Sequence, residues 1–247
     1  TPQGKSVNMK LAQLLVDVFR SQSIAVLGNV LIAMGLAALI AFGYQYKTGE
    51  PLMNADQIAY QLHSIDPFAG TLWFAAIAGV WLFCSGIISG YFDNRSNYLN
   101  MRMRLTQHPL LKKLMSEKSR VKFANYMHEN YGSLIGNLCF GMLLGITGVV
   151  GYLTHLPLDI RHVAFSSANV GYIAVSGQFT YSLLLQCIGF VLLIGLVNLV
   201  VSFSLTLWVA LRSLNAEIES WWPIWYEVCQ IVKKRPLSLF FPVQLDK

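Results

Sequence analysis

Four stretches of this sequence carry no Asp, Glu, Lys or Arg: 21–46, 67–92, 130–158 and 163–211. As helices rising about 1.5 Å per residue, each can cross a hydrocarbon core about 30 Å thick. A chain with four such runs cannot hide them all in one small water-soluble core. Only 12% of residues are charged and 55% are hydrophobic, where a soluble domain covers itself with about twice that share of charge. The expected fold is all-α: a polytopic membrane protein with transmembrane helices at 24–44, 69–92, 131–153 and 181–211. A polar, small-residue segment, "VAFSSANVGYIAVSGQF", precedes the last of them.

The cations show how such a chain threads the membrane. All 18 Lys and Arg except Lys47 and Arg161 fall in the N-terminal arm, the central connection or the tail. Positively charged connections stay cytoplasmic, so both termini are expected inside, in a bacterial inner membrane. The organisation that follows is a cytoplasmic amphipathic arm at 1–23, a two-helix membrane unit with an exported loop at 24–92, and a basic cytoplasmic helical loop at 93–130. A second two-helix unit with an exported loop follows at 131–211, then a cytoplasmic interfacial tail at 212–247. Thr1 in place of Met, and Asp17 and Arg20 where a signal peptide would be apolar, read as a piece of a longer or processed chain.

The two membrane units align with each other. "GNVLIAMGLAALIAFGY" from Gly28 matches "GNLCFGMLLGITGVVGY" from Gly136 without gaps, and "PLMNADQIAY" from Pro51 resembles "PLDIRHVAF" from Pro157. They read as tandem two-helix repeats related by an axis along the membrane normal. Gly28, Gly35, Gly43, Gly136, Gly141, Gly145 and Gly148 are expected to mark helix-packing faces.

Polar groups in apolar helices need partners. Asn29, Asn137 and Asn198 are expected to bond between helices, or to line a site at the repeat interface. Cys84, Cys139, Cys187 and Cys229 lack metal or disulfide spacing, and no cofactor is expected. In the second exported loop, His155, Asp159 and His162 would share a helical face and could supply zinc ligands, but Pro157 interrupts that helix. An Asp159–Arg161 ion pair closing a re-entrant loop is the preferred reading.

The basic stretch "RMRLTQHPLLKKLMSEKSRVKF", with Lys112 and Lys113 at its centre, could lie on nucleic acid. Anionic lipid head groups explain the same charges beside two spans, and are preferred as its partner. Pro109 is expected to start a helix in it. Leu11, Leu14, Leu15, Val18 and Phe19 follow the spacing of an amphipathic helix lying on the membrane surface, and Trp221, Trp222, Trp225 and Tyr226 that of an interfacial belt.

At "SGYFDNRSNYLNMRMRLTQHPLL" and "HLPLDIRHVAFSSANVGY" the chain resembles the bacterial membrane family labelled site-specific recombinase, the Gcr-like group, along essentially its whole length. The most specific stretches are Phe92-Asp93-Asn94-Arg95 and Asp159-Ile160-Arg161-His162, with Asn169 just beyond. The label implies DNA rearrangement, which needs a Ser or Tyr nucleophile with Arg and His groups converging on one phosphate. The expected topology puts Arg161 and His162 across the membrane from most other arginines. The expected role is therefore a non-enzymatic scaffold or subunit of a membrane assembly, partnered by lipid and by another protein or more of its own chain. Transport or lipid handling between the repeats, and recombination itself, are the alternatives.

Overall fold

The computed structural model describes residues 2–156, 158–177, 180–213 and 220–239, and all regular structure among them is helical. The first helix, α1 (Pro2–Thr48), is unbroken over 47 residues, a rod about 70 Å long. The amphipathic arm is therefore not a separate helix but the first half of α1. No Gly or Pro interrupts residues 8–27, so nothing ends the helix there.

Asn54 caps α2 (Ala55–Ile65) through a reciprocal box with Gln57. The Asp66 side chain accepts from the Phe68 N–H to open a 3-10 turn (Pro67–Ala69), and Gly70, at φ 80°, swings the chain into α3 (Thr71–Tyr98). Two short helices follow, α4 (Met101–Gln107) and α5 (Pro109–Leu114), the latter begun by Pro109 as expected. Capped by Ser116, α6 (Glu117–Thr154) carries its first basic turns straight on into the third apolar run. Then come α7 (Val163–Ala174), α8 (Tyr181–Ser213), α9 (Trp222–Lys234) and a closing 3-10 turn (Pro236–Leu239). Four of these helices, α1, α3, α6 and α8, are long and apolar enough to cross a membrane.

The spine of the fold is α8. Val30 of α1 clusters with Val170 of α7 and with Cys187, Val191 and Ile194 in the first half of α8. Gly79 of α3 lies against Asn198 and Val201 in its second half. The apolar lengths of α1 and α3 are thus staggered along α8 rather than set abreast, because α7 takes the place beside α1. Meanwhile α6 packs along α3, and α9 along the first half of α1, where Ala12, Val16 and Ile224 are fully buried.

The aligned positions of the two units are not used alike. Gly136 lies tight against Ser85 and Ser89 of α3, whereas its counterpart Gly28 has open space before it. The same is true of Gly35, Gly43, Gly141, Gly145 and Gly148, so of the expected packing glycines only Gly136 meets a neighbour. The close approaches are instead at Gly79, Gly132, Gly136, Gly151, Gly171 and Gly195. A glycine in an apolar helix permits contact; whether its face is covered depends on tertiary packing.

Candidate functional site at the helix crossing

Where α1 crosses α8, a side chain added at Gly195 would strike Val26 and Val163. Around that point the chain gathers several of its buried polar groups, Ser64, Thr71, His162 and Asn198 among them. Asn198, fully buried, donates from Nδ2 to the Ala75 carbonyl (2.7 Å) and the Arg161 carbonyl (3.1 Å), and its Oδ1 accepts from the Val163 N–H (3.1 Å). One amide therefore satisfies groups at the start of α3 and at the start of α7.

Beside it, Arg161 pairs with Asp159, as expected, and donates from Nε to the Ser64 carbonyl (2.7 Å). That carbonyl also accepts from the Thr71 hydroxyl (3.1 Å). Asp159 turns its other oxygen back to the Ile160 N–H, and Asn169 donates to Gln61 Oε1 (2.7 Å). The two connections that precede α3 and α7 are thereby tied to each other and to α8.

His162 closes the cluster. Its Nδ1 caps α7 at Ala164, and its ring stands edge-on to Phe140 and Phe165, with centroids 5.0 and 6.0 Å away. Burial pushes its pKa down from 6.5 to about 4, so the imidazole is neutral at physiological pH. His155, in contrast, is exposed with φ 54° at the end of α6. The candidate zinc ligands His155, Asp159 and His162 do not come together, and among the described residues no group of three His, Cys, Asp or Glu could hold a metal.

The second motif lies at the other end of α3. Asp93 Oδ1 accepts from the Gly132 N–H (2.9 Å) on α6. One turn on, Ser96 Oγ is 3.0 Å from His128 Nδ1, and further back Ser85 donates to the Gly136 carbonyl (3.0 Å). Ser85, Ser89, Asp93 and Ser96 thus form a polar edge on α3 that fits the Gly132–Gly136 groove of α6. Ser96 and His128 have the makings of a nucleophile and base, but Ser96 is 1% exposed, which leaves no way in for a substrate carbonyl, and its hydroxyl also faces the His128 carbonyl (3.4 Å). Asn94 is exposed, and Arg95 donates to the Tyr91 hydroxyl (3.3 Å) on the same exposed face.

Asn29 and Asn137 are exposed on α1 and α6 rather than buried between helices. Lys112 and Lys113 are exposed on α5, and Trp221, Trp222, Trp225 and Tyr226 are exposed on and beside α9. Asn198 is one of three asparagines in the expected spans, and nothing in its sequence neighbours distinguishes it. The serine edge had a signal in the four-residue spacing of Ser85, Ser89 and Asp93, matched by Gly132 and Gly136.

Four apolar helices of spanning length, joined by buried polar contacts and surrounded by exposed aliphatic side chains, define a helical polytopic membrane protein. Within that class, the chain belongs to the family described as site-specific recombinase, whose family model matches residues 1–242. No curated protein and no solved structure matches it.

Proposed function

We propose that this chain is a non-enzymatic scaffold or subunit of a bacterial inner-membrane assembly, with both termini and the basic segment 93–130 in the cytoplasm. One observation carries the reading: Asp93 of the first family-specific motif and both charged residues of the second are engaged by the protein's own groups, while Arg95 stays exposed. Asp93 is held by the Gly132 N–H, and Arg161 by Asp159 and the Ser64 carbonyl. A recombinase needs arginines that converge on one phosphate, whereas Arg161 is committed beside the start of α3 and the exposed Arg95 lies at its other end. The cation distribution supports the orientation. Mild cross-linking and affinity purification from native membranes is the test: a partner recovered in fixed stoichiometry supports a scaffold, and a chain that purifies alone with full membrane activity opposes it.

Recombination keeps some support from the family description and from the exposed Lys112 and Lys113 on α5. It requires duplex DNA binding that falls steeply with salt and is lost when both lysines become Gln. A transport site near Asn29 and Asn137 draws no support from their outward positions.

A further inference from the structure

A large cavity lies apart from both motif clusters. It is a groove of about 720 Å³ between the first half of α1, the second half of α8 and α9, lined by Leu15, Phe19, Leu199, Phe203, Trp208 and Trp225 among others. Ser204 supplies its only hydroxyl among the described residues. Water is poorly held there for want of polar partners, and an empty apolar space of this size is costly, so the groove calls for an apolar occupant.

Three features select that occupant. Along α8 the lining runs from Leu196 to Leu211, about 22 Å, which matches the hydrocarbon depth of one leaflet, about 15 Å, with part of its head-group zone. The exposed indoles of Trp208, Trp221 and Trp225 line it, the residue type that settles at a membrane surface. Finally, cations adjoin it: Arg212 stands 5.8 Å over the Trp208 ring and Lys233 follows the lining residue Val232. Of the nearby carboxylates, Asp17 is neutralised by Arg20 and Glu227 projects from α9 about 200° round from Trp225. Glu217 and Glu219 lie outside the described residues.

We propose that this groove seats an acyl chain of one anionic phospholipid, whose phosphate is met by Arg212. The site rests on the membrane reading but not on the scaffold role. The test is native mass spectrometry of the full chain released from detergent, with dipalmitoyl phosphatidylglycerol and dipalmitoyl phosphatidylcholine as competing probes. The expected result is one phosphatidylglycerol retained per chain, preferred over phosphatidylcholine about fivefold. Val200→Trp, which fills the groove, abolishes retention while elution from a sizing column is unchanged. Arg212→Gln, on the surface, keeps the chain-binding but removes the preference. No retained lipid, equal retention by Val200→Trp, or a photo-cross-linker at Trp225 that captures residues 240–247 or a second copy would overturn the site. A protein that stays soluble without detergent would instead overturn the membrane reading beneath it.

Discussion

The carboxylate of Asp93 accepts a hydrogen bond from the backbone N–H of Gly132, 39 residues further along the chain and on the neighbouring helix. This contact is possible only because Gly132 has no side chain: a Cβ there would overlap the Ser89 carbonyl and the Asp93 carboxylate itself. The most distinctive charged motif of the sequence, Asp93-Asn94-Arg95, thus begins with a residue that fastens α3 to α6.

Gly132→Ala should therefore be among the most damaging small substitutions, because two backbones must separate along the α3–α6 seam. A loss of about 1–3 kcal/mol is expected, the range for forcing atoms into a packed interface. Thermal unfolding in detergent measures it, with Gly141→Ala as the control, since Gly141 faces open space and should be nearly silent.

Asp93→Asn leaves an oxygen that can still accept from Gly132, whereas Asp93→Ala leaves the contact unmade. The first should retain most of the stability and the second lose about 1–2 kcal/mol. Equal losses in the two would mean that the charge, not the hydrogen bond, is what the helix pair uses.

Asn198→Leu removes three hydrogen bonds at once and orphans the Val163 N–H in a buried position. A cost of about 2–4 kcal/mol is expected, and hydrogen exchange at Val163 and along the start of α7 should speed up. Unchanged exchange there would show that α7 is anchored by other contacts.

Much of the fold was legible because transmembrane length and the absence of charge are properties of contiguous sequence. The four apolar helices, the Pro109 start of α5 and the Asp159–Arg161 pair all followed from that local pattern. What escaped was tertiary. The arm at 1–23 has the periodicity of a surface helix, yet its Ala12–Val16 side is buried, in a helix that packs along α9 and continues directly into the first span. The glycines of the aligned units looked equivalent, but only the packing of α6 on α3 makes Gly136 a contact and leaves Gly28 bare. Asn29, Asn137 and Asn198 were indistinguishable as letters. Their fates differ because only the last sits where three segments cross.

His162 gives the structure a sensitivity to acid. Its folded pKa, about 4, lies below the ordinary 6.5, so folding favours the neutral ring. That contribution is complete above pH 6.5 and is lost as pH falls towards 4, where the unfolded chain binds a proton that the folded one resists. The melting temperature should drop across this window in the wild type, and drop less in His162→Phe or His162→Gln. Parallel pH profiles for wild type and both variants would remove His162 as the cause.

The account as a whole depends on a chain threaded through the membrane with its basic segment on the cytoplasmic side. With Cys84, Cys139, Cys187 and Cys229 replaced, single cysteines at Lys112, Gly49 and Thr180 can be challenged in intact cells with a membrane-impermeant thiol reagent. The expected result is labelling at positions 49 and 180 from outside, and at 112 only after the cells are opened. Labelling of position 112 in intact cells, or protection of all three with the chain recovered in the soluble fraction, would contradict it.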